Sequence, residues 1–470
     1  MHNDKESPFT LTLLDDNLSL QVLQFSGREA LNQPYRFDIE AIGLAPAIPV
    51  EQLLQQPARL DMGHGQCIHG VLHCASREQR QQHPDGCKLV LVPALQALDR
   101  YRSRRIFQRL SVPMILRQLL EEQGLPDSSY RFELENGHYP LRTFCIQYEE
   151  TDLALLQRLC EEEGIHYHFE HHHSGHVLVL ADDSLSFPQQ PLLMPFNIDT
   201  PASDPAPVIS ELFQRYDSRP LRSRMGARDR GKQAGDDGAA NQAFHCAAVP
   251  MQRPTHEQRY RDQLGRRQLE RLRCQQVQIH GQSNHRGLRS AGIVQVAEHP
   301  LPELNNQWLV IQTRHQGQQD SPGLAPRYHN QFSAIPWSTV FRPALKQTRP
   351  SIPGFQPAKV CGPAGQPAAQ DDQGQIQVSL WPGSNAACEE SAGLWLPVAL
   401  TASNAGLDPS GLPMAGTAGL VSFLDSDPDR PVFCPGSGPR HTTPPMRTHL
   451  PRNDTRLLLD WLSTPVDREP

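Results

Sequence analysis

The sequence predicts a mainly β protein with α+β insertions, assembled from more than one barrel. Three observations support this. The 470 residues include 43 prolines and 32 glycines, a load that disfavours long helices and suits short strands joined by turns. Apolar residues recur at period two in many short runs. Only a few stretches carry helix start and stop signals.

In chain order, the N-terminal segment reads as strands. Phe9, Leu11 and Leu13 alternate with Thr10 and Thr12, and a turn at Asp15, Asp16 and Asn17 leads to Leu18, Leu20 and Val22. Tyr35, Phe37, Ile39 and Ala41 form another alternation, and 68–73 and 88–92 add two more. Short strands at this spacing point to a barrel or sandwich. Two punctuated helices follow. One has Ser111 as cap, Pro113 in its first turn and Gly124 past its end; the other runs from the cap Thr151 to Gly164. In the second, Leu153, Leu156, Leu159 and Cys160 share a face. Arg158, Glu161 and Glu162 are expected to face away, with Glu161, Glu162 and Glu163 as a solvated acidic end. Glu149, Glu150 and Asp152 favour its N-terminus electrostatically. A hairpin over 165–180 turns at His173, Ser174 and Gly175.

Residues 184–205 are proline-rich and read as a connector. A charged helix is expected from Thr255 to Arg273, then strands at 275–280, 292–297 and 308–315. Proline recurs without apolar periodicity over 342–357, the clearest linker. Strands follow at 375–380, 394–400 and 420–424. The tract 421–433, VSFLDSDPDRPVF, reads as strand, tight turn at Asp427 and Pro428, and strand.

Net charge is -7 and mean hydropathy -0.53. That balance disfavours nucleic acid as a partner, and the charged residues of 371–433 are mostly acidic, with few aromatics for stacking. No apolar run approaches a membrane span, so no stable membrane insertion is expected, and the N-terminus lacks a signal-peptide pattern. The ten cysteines include no CxxC, and free thiols are expected. Two histidine groups invite a metal reading. On a strand over 67–74, Cys67, His69 and His73 would share a face; His166 and His168 share another, with His171, His172, His173 and His176 nearby. Tight paired zinc spacing is missing from both, so half-solvated or packed rings are the expectation. No GxSxG elbow occurs, and HEQRY at 256–260 ends in Tyr260 where HExxH needs histidine. Neither catalytic residues nor a cofactor or metal is expected.

Four tracts together resemble the VgrG (valine-glycine repeat protein G) family of type VI secretion, itself similar to phage baseplate hubs and spikes. They are QYEETDLALLQRLCEEEGIHYHFEH at 147–171, GQSNHRGLRSAGIVQVAEH at 281–299, FRPALKQTRPSIPG at 341–354, and the barrel tracts of 371–433. Where the family carries tyrosine at His166 and His168, flat amphipathic rings pack. The resemblance implies β-barrel hub domains followed by an OB-type β-barrel: a first hub barrel over 1–105, an α+β insertion over 106–205, a second hub barrel with a helix over 206–341, a linker over 342–357, the OB-type barrel over 358–440 and a short tail over 441–470. It implies a homotrimer that docks on a secreted Hcp-like tube, is cytoplasmic before firing, and is then delivered with effectors through target membranes. An effector-loading adaptor outside the fired spike is the alternative. Two departures stand out. PMAGTAG at 413–419 lacks the family's arginine and glutamate, and a valine-rich β-prism needle is missing after residue 439. The expectation is a shortened spike. A PAAR-like tip or an effector would dock on the last barrel and on a short helix carrying Leu457, Leu458, Leu459, Trp461 and Leu462.

Overall fold

The structure is a computed structural model, and it describes residues 9–15, 18–44, 48–80, 83–172, 175–197, 206–216, 255–319, 327–363, 365–382, 393–399 and 412–435. Strands dominate, as the proline load and period-two runs require. The chain divides into two compact units, the first Met1–Ile352 with Asp427–Asp429 and the second Pro353–Ser426 with Arg430–Pro470.

The first unit begins with β1 (Thr10–Leu13), β2 (Leu18–Ala30), β3 (Gln33–Ile42), β4 (Pro57–Asp61), β5 (Cys67–Arg80) and β6 (His83–Val92). They pair in the order β1-β4-β5-β6-β3-β2, and β2 returns to β1, which closes a six-stranded barrel. The inward alternation fills it with Phe9, Leu11, Val22, Phe37, Ile39 and their neighbours. The period-two reading was correct here because one face of every strand meets that core.

An insertion follows: β7 (Arg102–Leu110), α1 (Val112–Glu122), β8 (Tyr130–Glu133), β9 (Arg142–Thr151), α2 (Asp152–Glu163), β10 (His166–His172) and β11 (Gly175–Ala181). Both helices sit where their punctuation places them. The Thr151 hydroxyl accepts from the Ala154 N–H at 3.2 Å, whereas Ser111 makes no side-chain cap bond. Gly164 closes α2 in the left-handed region at φ 69°, which costs glycine nothing and other residues about 1 kcal/mol or more. Leu116, Leu119, Leu156, Leu159 and Tyr167 form the shared core.

A second barrel is built from β12 (Leu192–Pro195), β13 (Ile209–Tyr216), β14 (Val277–Ser283), β15 (Ile293–Ala297), β16 (Gln307–Gln318) and β17 (Arg327–Pro336), with α3 (His256–Gln276) beside it. The order β12-β15-β16-β17-β14-β13 is joined at its ends by a bridge between Phe196 and Ile209. β16 also pairs with β2, so the two barrels share one sheet. Gly281 is required by close approach: an added Cβ would lie 2.7 Å from the Phe332 ring and 2.8 Å from the Glu211 carbonyl oxygen. α3 runs to Gln276, taking the first two residues of the strand expected from 275. The reason is Cys274, buried on the helix, where its Sγ meets the Val340 carbonyl at 3.2 Å.

The second unit contains β18 (Phe355–Val360), β19 (Ile376–Leu380), β20 (Leu394–Leu396), β21 (Ala418–Phe423) and β22 (Pro431–Cys434). Their order is β20-β19-β18-β21-β22, and Val398 bridges to Phe433 to join the ends. The hairpin read from 421–433 is present, with Val421 opposite Phe433. Its turn uses the expected aspartate: Asp427 Oδ1 accepts from the Asp429 N–H at 3.0 Å. The expected strand at 394–400 is shorter, ending at Leu396 before Pro397, which cannot donate to a ladder. Seven described cysteines are free. Cys361 is disulfide-bonded, against the expectation of free thiols throughout; local spacing rules do not detect a single bridge closed by folding.

Candidate functional site

The most heavily charged part of the first unit lies at the C-terminal end of α2, and the sequence reading misplaced it. Arg158, Glu161 and Glu163 are buried at 4 %, 5 % and 1 % exposure. The expected solvated acidic end is instead a buried network. A purely amphipathic reading counts apolar residues and cannot see an ionic face that is covered by other ions.

The network builds outward from the helix. Arg158 reaches Glu150 at 2.5 Å and Glu162 at 3.4 Å. Arg142 on β9 bonds Glu162 at 3.1 Å and Glu163 at 2.9 Å. Arg267 on α3 faces Glu163 at 3.5 Å and Asp182 at 3.9 Å, with its guanidinium over the Tyr139 ring. The Tyr260 hydroxyl donates to Glu163 at 2.6 Å. Arg271 donates to the Glu161 carbonyl and, at 3.0 Å, to that of Pro343. Arg342 donates to the Gly164 and Asp182 carbonyls at 3.1 and 2.7 Å and pairs with Glu270 at 2.7 Å. Cations thus meet the orphan carbonyls at the negative end of α2.

The network clamps one segment. Glu161 Oε2 accepts the backbone N–H groups of Lys346 and Gln347 at 2.7 and 2.8 Å. Arg349 pairs with Glu162 at 3.1 Å. Part of the proline-rich stretch read as a linker is therefore tied down by side chains, because a proline-poor backbone stretch within it still needs acceptors.

The electrostatics follow from burial against charge. Burial pushes the Glu161 carboxyl up, opposed by the two amides. Burial also pushes Glu162 up, but Arg142, Arg349 and Arg158 outweigh it and hold the group below its ordinary value. Burial, with Arg267 and Arg342 nearby, lowers the Arg271 guanidinium to about 10.

The histidines are structural partners. A bulge between Leu72 and Cys74 on β5 breaks the alternation, so His73 is exposed while His69 is buried. Cys67 Sγ and His69 Nδ1 lie 3.9 Å apart, and His73 does not join them. The expectation that all three share a face fails for this reason. His171 Nδ1 accepts the His69 N–H at 3.1 Å, and His176 Nε2 accepts the Ala94 N–H at 3.3 Å. Both rings are therefore neutral acceptors. Burial, with cationic neighbours, holds His171 well below its usual value, and burial with His69 brings His176 to about 4. His166 and His168 stack at 6.2 Å, each against Phe187. Among the described residues no group of three or more metal-ligating side chains converges. The tail bearing Leu457, Leu458, Leu459, Trp461 and Leu462 lies outside the described residues.

The tract 281–299 does equivalent work at the seam of the two barrels. Arg286 donates to the Met62 carbonyl and Arg289 to that of Cys67, both at 2.7 Å. Asn284 accepts from Val208 N–H at 2.8 Å, and Asn330 donates to the His285 carbonyl at 2.8 Å. Three of the four recognised tracts thus fasten barrel to barrel and insertion to exit segment.

The model of the phage tail baseplate hub (GPD) family matches residues 28–321, which spans both barrels and the insertion. This chain belongs to the phage tail baseplate hub family. Among this hub's relatives, the type VI secretion system spike proteins VgrG5 and VgrG4b of Pseudomonas aeruginosa are 35% and 33% identical over 98% of the chain. The actin cross-linking toxin VgrG1 of Vibrio cholerae is 28% identical over 94% of it. The hub chain spans 61%, 59% and 42% of those three proteins. In fold it is similar to the E. coli c3393 protein, described as a component of the type VI secretion system with structural similarity to T4 bacteriophage tail proteins gp27 and gp5. That likeness has TM-score 0.66 and 23% identity, and covers 88% of this chain and 96% of that one. The Francisella PdpA-VgrG complex, in its lidded form, shares the fold at TM-score 0.54 and 8% identity, over 88% of this chain and 68% of that one.

Proposed function

We propose that this chain is the hub of a type VI secretion spike, acting mechanically. Three copies form a ring of barrels, the ring docks on the end of a secreted Hcp-like tube, and sheath contraction drives the assembly with its cargo into a target cell. The observation that carries this reading is the two-barrel unit sharing one sheet, covered by the hub family match. In the second unit, the five-stranded order β20-β19-β18-β21-β22 with its closing bridge supports reading it as an OB-type barrel. Self-association is supported by β13, an end strand of the sheet order on which Phe213 and Tyr216 are 58% and 70% exposed. The domain plan is a first hub barrel over 1–105, an insertion over 106–205, a second barrel to 341, a linker to 357, the OB-type barrel to 440 and a docking tail for a PAAR-like tip or effector beyond it.

A non-catalytic role is supported by the use of the charged groups: Glu161, His171 and His176 accept backbone amides, and Glu150, Glu162 and Glu163 pair with arginines. The name of the actin cross-linking relative describes a protein of which this chain spans 42%. The effector-loading adaptor gains no support from the relatives, which include spike proteins by name. The test is secretion. In the producing cell, the tagged chain should appear outside together with the tube protein, and only when the sheath is intact. Retention in cells whose tube is secreted normally would reject the hub role in favour of the adaptor.

A further inference from the structure

The registers of three adjacent strands produce an arrangement that the hub role does not use. In β16, β2 and β3, Arg314 lies opposite Arg28, and Arg28 lies opposite Arg36. All three are exposed. Directly opposed residues project from the same face of a sheet, and adjacent strands are about 4.8 Å apart, so the row spans about 10 Å. Arg36 is paired with Asp38 on its own strand at 2.7 Å. Among the described residues, Arg28 and Arg314 have neither an ion pair nor a side-chain hydrogen bond. Like charges directly opposite each other are destabilising. The next rows of the same face are uncharged on β16 and β2, Gln316 opposite Ser26 and Gln318 opposite Gln24, and end on β3 at Asp38 and Glu40. These two pair with Arg36 and Lys88, so among the described residues Arg28 and Arg314 are the charges of this face left without a partner. The arginine row also lines a cleft of about 570 Å³, together with Gln33, His73, Gln96 and two carboxylates, Asp38 held by Arg36 and Asp99 held by Thr151 and Gln96.

We infer that this row is a docking surface for an acidic polypeptide segment, whose carboxylates pair with Arg28 and Arg314. The guanidinium fork matches carboxylate geometry, and a charge-assisted pair is stronger than a neutral one. The occupant is polymeric because the row is longer than one carboxylate can cover, whereas carboxylates two residues apart on an extended chain are about 7 Å apart. Nucleic acid fits poorly. Single-strand binding uses aromatic stacking along a basic groove, the row carries no exposed aromatic, and the whole chain has net charge -7. The inference does not depend on the hub function, since it concerns a face of the sheet that exists in the single chain.

The probe is a fluorescein-labelled hexaglutamate peptide, titrated with the full-length chain by fluorescence anisotropy at low and moderate salt. Wild type should bind at low salt and weaken as salt rises. The double variant R28Q/R314Q should lose about tenfold or more in affinity. The pair R259Q/R266Q removes the same charge from exposed positions on α3 and should bind like wild type. R28Q/R314Q should also melt no lower than wild type, because it relieves a repulsion, which separates loss of binding from loss of fold. Absence of wild-type binding, equal affinity in R28Q/R314Q, or equal losses in both double variants would overturn the inference. So would a change in oligomeric state in R28Q/R314Q with peptide affinity unaltered, which would give the row to a second copy of the chain.

Discussion

Glu161 shows how a single carboxylate organises the exit from the hub. Its Oε2 accepts the backbone amides of Lys346 and Gln347, and a hydrogen bond to a charged group contributes about 1.5–3 kcal/mol. Glu161→Ala should therefore destabilise the first unit by about 3 kcal/mol, whereas Glu161→Gln keeps an acceptor and should cost about 1 kcal/mol. Urea unfolding gives the magnitude. Hydrogen exchange should show faster exchange at Lys346 and Gln347 in the alanine variant; unaltered exchange there would exclude the clamp. His176 makes a pH-dependent contribution. Its folded pKa of about 4 lies below the ordinary 6.5, so the unfolded chain binds more protons as pH falls. The stability is full above pH 6.5 and is lost between 6.5 and 4. The loss is on the order of 3 kcal/mol for a fully retained shift. His176→Gln, whose amide oxygen replaces Nε2 as acceptor for the Ala94 N–H, should flatten that part of the profile measured by thermal melts between pH 7 and 4. An unchanged slope would assign the pH dependence elsewhere.

At the scale of elements, α3 explains what sequence reading could not see. Its buried residues are Gln263, Arg267, Arg271 and Cys274, which recur at helical spacing but carry no apolar signal. Periodicity located the helix only by its lack of breakers, and gave no sign of which face was inside. The same blindness misplaced Glu161 and Glu163 on α2. By contrast, the caps Thr151 and Gly164 and the period-two faces of β1 to β3 were legible, because each depends on local chemistry or on one continuous core. The β5 bulge was illegible for the opposite reason: it inserts one residue without changing composition, and it moved His73 off the face of His69. The ionic face of α3 can be tested directly. Arg267→Met would leave Glu163 and Asp182 without that cation in a buried site, at a cost of about 3–5 kcal/mol. Differential unfolding of wild type and variant should also show the insertion opening before the first barrel, and a cost below about 1 kcal/mol would mean that Arg142 and Tyr260 alone neutralise Glu163.

At the scale of the whole molecule, the family tracts act as fasteners. Tract 281–299 joins the two barrels, and tracts 147–171 and 341–354 meet at the α2 terminus. These side-chain-to-backbone ties add what the shared β2–β16 sheet does not supply, since that sheet alone fixes only the barrels. Three of the four tracts that carry the family resemblance are thus explained by the contacts they make. A hub that acts as a ring needs several copies of the chain. The most direct measurement is the mass of the full-length chain in solution by sedimentation or mass photometry. A ring-forming hub should give a species three times the 52.7 kDa of one chain, and a strict monomer at micromolar concentration would contradict the proposed role.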